Sequence, residues 1–238
     1  MKIMVFDDNK TNLKAAQAQL GRDHELTIFD SYQEAQQALL ASVDWELENK
    51  LLTEDGIKNF NPGAESVSEP ERNNYFSTKD EIRKKATIYP DFDVVFVDLL
   101  VTASEQYMGG EGLNVNREEM PVGVFIGLLA AAKGDAKYVA VFTDSSHHHH
   151  PASACFDKFN CGERHPTPFM VNKAKFILCN ARAWVCYFDS NDLSKVVDIY
   201  SDMPSDVSPS QRAAEYVASG KVTRAKNWKY LLDYLLVN

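Results

Sequence analysis

The residues of this chain that could do chemistry stand at the ends of apolar runs. Asp7 and Asp8 follow MKIMVF, Asp98 closes FDVVFVD, and Thr143 closes AKYVAVFT. Adjacent carboxylates repel each other, which leaves two readings of Asp7 and Asp8. Either they face water in a turn after an edge strand, as most charged residues do, or they form half of a cation site, since a hard divalent ion takes carboxylate oxygens. Asp98 and Thr143 are equally open when taken alone. An aspartate can cap the next turn, and a threonine is a common strand former.

The elements around them narrow the choice. KIMVF reads as a strand and TNLKAAQAQL as a helix with Leu13, Ala16 and Leu20 on one side. ELTIF alternates like a strand. SYQEAQQALLASV opens with Ser31 as an N-cap and Glu34 in capping-box position. From Thr53 to Pro90 the pattern dissolves into polar residues, Gly and Pro, and reads as a long, partly disordered surface insertion. Structure resumes at Val94–Val97, an apolar run suited to a strand covered on both faces. PVGVFIGLLAAAKG reads as a buried helix started by Pro121 and ended by Gly134, and AKYVAVFTD reads as a further buried strand. Strands alternating with helices predict a parallel sheet with helices on both faces. Ligands of such sheets gather outside the carboxyl ends of the strands. Asp7, Asp8, Asp98 and Thr143 all fall there.

Composition excludes several classes. The hydrophobic share of 45% and charged share of 25% are those of an ordinary globular protein. A net charge of −9 without a Lys/Arg-rich run argues against nucleic acid. No stretch has the length and apolarity to cross a bilayer, and no secretory signal is visible. The four cysteines, Cys155, Cys161, Cys179 and Cys186, are too sparse for a disulfide scaffold. The expectation is a reduced, cytoplasmic protein.

In this setting the chain resembles the receiver domains of two-component response regulators. That family carries an acidic pair after its first strand, a phosphoacceptor Asp after the third, a Thr or Ser after the fourth and a Lys after the fifth. VFDD supplies Asp7 and Asp8, VVFVD supplies Asp98, and VAVFT supplies Thr143. Lys226 in KVTRAKNWKYLLDYLL is the matching lysine, with Lys173 in PFMVNKAKF as the alternative. The resemblance covers roughly residues 1–43, 91–146 and 220–238. It implies a flavodoxin-like, doubly wound five-stranded parallel sheet of order 2-1-3-4-5. The chain would be a single domain over residues 1–238, with insertions at about 44–90, 101–119 and 146–220. It also implies a phosphoryl group accepted on Asp98 as an aspartyl phosphate. Mg2+ would be held by Asp7, Asp8 and Asp98, with the Leu100 carbonyl completing its shell. The Thr143 hydroxyl and the Lys226 ammonium would bind phosphoryl oxygens. The implied partners are proteins, a sensor kinase or a downstream target, and the implied role is signalling rather than turnover.

Several features depart from the family. Asp98 lies ninety positions after Asp8, and the stretch 101–119 that follows it could cover the site as a lid. Asp144 stands after Thr143, where the family usually has a small residue, and Thr223 replaces an aromatic three positions before Lys226. A receiver-like interaction module that takes no phosphate is therefore a second reading. A third is a metal-dependent phosphatase of the haloacid dehalogenase type. DLLVT at 98–102 has that family's first Asp and its Thr, but has Leu100 where the second Asp belongs. The run His147, His148, His149 and His150, with Cys155, Cys161 and His165 nearby, offers ligands for a transition metal, or forms a polar loop followed by a helix from Pro151. Beyond it, KAKFILCNARAWVCYF reads as one or two extra strands, and DLSKVVDIY and SQRAAEYVA as helices.

Overall fold

The computed structural model describes residues 1–102, 119–144, 151–159, 166–180, 184–201, 204 and 207–238. They divide into two compact units, residues 38–90 and the remainder. The larger unit opens with β1 (Lys2–Phe6), α1 (Lys10–Leu20), β2 (Glu25–Phe29) and α2 (Tyr32–Ala38). The side chain of Asn9 caps α1 by accepting from the Thr11 amide at 2.9 Å. One face of α1 is buried at Asn12, Ala15, Ala16, Gln19 and Leu20.

The smaller unit holds β3 (Ser42–Val43), α3 (Trp45–Glu54), α4 (Glu69–Lys85) and β4 (Thr87–Ile88). β3 and β4 pair antiparallel. One long helix, α4, thus occupies 17 residues of the stretch expected to be irregular, and α3 only reaches into its start. α4 carries the signals of a helix end to end: a Ser68–Glu71 capping box, acids in its first turn, and Arg83, Lys84 and Lys85 in its last. Its weak apolar periodicity hid it, since only Ile82 on this helix is buried.

The larger unit continues with β5 (Val94–Asp98), β6 (Val101–Thr102), β7 (Glu119–Met120), α5 (Gly123–Lys133), β8 (Tyr138–Phe142), α6 (Pro151–Cys155), β9 (Phe169–Val171), β10 (Ala174–Cys179), β11 (Val185–Asp189), β12 (Asp192–Val196), α7 (Pro209–Ala218), β13 (Val222–Lys226) and α8 (Trp228–Val237). The main sheet has six strands in the order β2-β1-β5-β8-β10-β9. The first five are parallel and β9 is antiparallel at the edge. A separate three-stranded antiparallel sheet has the order β12-β11-β13.

These findings correct the expected topology. The sheet has six strands rather than five, and its fifth parallel strand is β10, inside the stretch 146–220 that was read as an insertion. The strand ending in Lys226 belongs to the smaller sheet. Burial explains the exchange. Ala174 and Phe176 through Cys179 are buried, as a strand covered on both faces requires, whereas β13 exposes Arg224. DLSKVVDIY, expected as a helix, instead contains β12, which pairs with β11.

Alternation along the parallel strands assigns the two faces. Ile3, Val5, Val94, Phe96, Ala140, Phe142, Ile177 and Cys179 pack with α1 and with Trp228, Leu231, Leu232 and Leu235 of α8. The Trp228 ring stacks on Phe96, centroids 5.8 Å apart, and meets Phe142 edge-on at 5.6 Å. On the opposite face α5 lies close enough that a Cβ on Gly127 would come within 2.8 Å of Val141 and 2.9 Å of Phe176.

Candidate functional site

The carboxyl ends of β1, β5 and β8 converge, and with them Asp7, Asp98 and Thr143, all buried. Asp98 is brought there by the last pairing of β5 with β8, opposite Phe142. Its chain direction beyond that point depends on Gly123. A Cβ there would fall 1.8 Å from the Asp98 carbonyl oxygen, so only glycine lets α5 start against this turn.

Into this edge reaches Lys226, a fully buried lysine carried in by the other sheet. Its Nζ donates to Asp7 Oδ2 at 2.6 Å, to Asp98 Oδ1 and to the Phe142 carbonyl at 3.0 Å. The ammonium also lies 4.9 Å from the Phe142 ring centroid and 5.4 Å from that of Trp228. The other donors complete the carboxylates. Asp7 Oδ1 accepts the Asn9 amide at 2.8 Å, the Asn12 side-chain amide lies 3.3 and 3.2 Å from the two Asp7 oxygens, and Asp98 Oδ2 accepts the Leu100 amide at 3.1 Å. Lys173 lies in the exposed turn that precedes β10, at the opposite edge of the sheet.

Two carboxylates and one ammonium leave one excess negative charge in a buried cluster. Burial pushes the Asp98 carboxyl up, against the pull of Lys226 and with the help of Asp7, to about 8. Burial raises Asp7 as well, again opposed by Lys226. Burial disfavours the Lys226 ammonium, but Asp7, Asp98 and Asp144 outweigh it and hold its pKa above the ordinary lysine value. Above the cluster lies a recess of about 190 Å³ lined by Asp7, Asp8, Asn9, Asn12, Asp98, Leu100, Thr143 and Asp144. Asp8 is exposed at its rim.

The expected Mg2+ on Asp7, Asp8 and Asp98 is corrected by this geometry. Among the described residues no group of three or more His, Cys, Asp or Glu side chains is gathered to hold a metal ion. Lys226 supplies the positive charge between Asp7 and Asp98, and the Leu100 amide donates to Asp98 Oδ2. His147, His148, His149 and His150, with Cys161 and His165, lie outside the described residues, as does most of the stretch 101–119.

Two functional-looking residues escape sequence reasoning, Asn12 and Gln19 on α1. Asn12 Oδ1 accepts the Lys226 amide at 3.2 Å, and its carbonyl accepts the Trp228 indole N–H at 2.9 Å. Gln19 Nε2 donates to the Lys226 carbonyl at 3.2 Å and to Leu193, while its Oε1 accepts the Lys229 amide at 3.2 Å. The signal was present, since two amides seven residues apart share one helix face with Ala15, Ala16 and Leu20.

Fold and site together define an α/β domain with a large, mostly parallel sheet and a buried carboxylate–lysine–carboxylate cluster at its carboxyl edge. The chain matches no protein-family model, no curated protein and no solved structure. Among the described residues, no helix is long and apolar enough to cross a membrane.

Proposed function

We propose that this chain is a receiver-like regulatory module, flavodoxin-like in form, that acts through a protein partner and turns over no substrate. The observation that supports it is the Lys226 ammonium held between Asp7 and Asp98. As arranged, the cluster favours the reading without phosphate. Both Asp98 oxygens already accept hydrogen bonds. Burial holds the Asp98 carboxyl well above the ordinary carboxylate range, which disfavours the ionised form that a nucleophile needs. Asp8 and Asp144 keep the recess acidic, which repels an anionic phosphodonor. The hydrolase reading finds apolar Leu100 where it needs a second acid.

One observation favours phosphoryl acceptance as a second reading: the recess opens onto both Asp98 and Thr143. Incubation with an acyl phosphate, with a divalent cation in the buffer, followed by intact-mass analysis separates the two. The proposal expects an unchanged mass. A gain of one phosphoryl group that disappears in Asp98→Ala would replace it with the acceptor reading.

A further inference from the structure

The smaller unit carries a row of cations held by aromatic rings rather than by carboxylates. Tyr75, Lys79 and Arg83 recur every four residues on α4 and share one face. Lys79 Nζ lies 5.7 Å from the Tyr75 ring centroid, and the Arg83 guanidinium lies 5.7 Å from that of Trp45 at the start of α3. Tyr75 is itself backed by Phe60, stacked at 5.1 Å. Trp45 is 60% exposed, an unusual position for the largest aromatic side chain, and Ile88 and Tyr89 are each 56% exposed. The β3–β4 pairing keeps them at the Trp45 end, since Ile88 stands opposite Ser42 and the Asp44 amide donates to the Ala86 carbonyl at 2.8 Å.

The missing partners are informative. Acids outnumber basic residues 34 to 25 in this chain, yet neither Lys79 nor Arg83 is within ion-pairing distance of a carboxylate among the described residues. Lys84 and Lys85 extend the positive end of α4 and are likewise unpaired by that measure. The rings orient the cations without neutralising them. A ligand carboxylate arriving there would gain charge-assisted hydrogen bonds to a partly immobilised donor set. Exposed Trp45 supplies an apolar anchor beside it, the combination found at interface hot spots.

We propose that the α4 face bearing Lys79 and Arg83, with Trp45 at its end, docks an acidic segment of a partner protein whose apolar side chain packs on Trp45. This names the kind of partner for the function proposed above and rests on it, but its test does not involve the Asp7–Lys226–Asp98 cluster.

The probe is a fluorescein-labelled peptide of glutamates interspersed with leucines, titrated into the full chain and followed by anisotropy, alongside the same peptide with lysines for glutamates. The glutamate peptide should bind and the lysine peptide should not. Lys79→Glu with Arg83→Glu should weaken binding by about tenfold or more, in keeping with close charge pairs at interfaces. Lys79→Met with Arg83→Met keeps the side-chain stems over the rings. It should lose the charge-dependent binding while far-UV circular dichroism stays native, which removes misfolding as an explanation. Lys226→Ala should bind as wild type wherever it stays folded, so a failed cluster and a failed docking face are told apart. Equal binding by the wild type and both double variants would overturn the proposal. An oligonucleotide that competes as well as the glutamate peptide would do so by making the occupant a nucleic acid. Self-association that is lost in the double variants would also do so, by making the occupant a second copy.

Discussion

Lys226→Met leaves two buried carboxyls facing each other without their cation. Breaking a buried ion pair by removing one partner costs about 3–5 kcal/mol, because the remaining charge is stranded. Urea denaturation of the variant should therefore show a lower midpoint at neutral pH. The cluster also fixes a pH dependence. The Asp98 carboxyl rises from 3.8 to about 8 on folding, mainly by burial. Between those values the folded state binds more protons than the unfolded chain. Stability contributed by this group is then full at the acid end and is lost as pH rises toward 8. Asp7 shifts in the same direction. Surface acids held low by hydrogen bonds, such as Glu71 and Asp192, act oppositely, so the useful quantity is a difference. Asp98→Asn should remove the decline, and the stability gap between wild type and variant should change steadily from about pH 4 to pH 8. A gap that stays constant across that range would mean that Asp98 titrates like a solvated acid.

Among the elements, α1 connects the two sheets of the larger unit. Asn12 holds Asp7, the Lys226 amide and the Trp228 indole, and Gln19 holds the Lys226 carbonyl and the Lys229 amide. Asn12→Leu should leave the buried Lys226 amide without its side-chain acceptor and take one donor from Asp7, each unmet group costing about 1–3 kcal/mol. Hydrogen exchange should then accelerate first at 222–230. Unchanged protection there would mean that β13 and α8 are held without α1. Gly123→Ala places a methyl group 1.8 Å from the Asp98 carbonyl oxygen. Overpacking of this kind costs about 1–3 kcal/mol, and the thermal midpoint should fall accordingly. An unchanged midpoint would show that α5 can shift away from the turn.

The same elements mark what could be read from sequence. Periodicity located β1, α1, β2, β5, α5 and β8, because each buries a regular face or a continuous apolar run. The acids and Thr143 were placed by standing at the ends of those runs. The sixth strand and the separate sheet were not legible, since AKFILC and VTRAK both read as strands and only burial separates them. α4 was missed because its caps and charge gradient, not an apolar stripe, mark it as a helix. The role of Lys226 as the cation between Asp7 and Asp98 depends on two distant strands meeting, which no local pattern encodes.

Across the whole molecule, the division into two compact units predicts uneven responses to damage. Lys226→Met should raise hydrogen exchange in the strands of the main sheet while amides of residues 69–85 keep their protection, because local stability follows local packing. A uniform rise through both regions would show that the units unfold as one. The central claim is that a buried lysine ammonium, shared by Asp7 and Asp98, holds the carboxyl edge together. The most direct test is heteronuclear NMR of lysine side-chain ammonium groups in uniformly ¹⁵N-labelled protein near neutral pH. A solvated lysine ammonium exchanges with water too fast to be seen under these conditions. The account predicts a slowly exchanging ammonium signal that is absent in Lys226→Met and displaced in Asp98→Asn. A spectrum in which wild type and Lys226→Met are the same would contradict it.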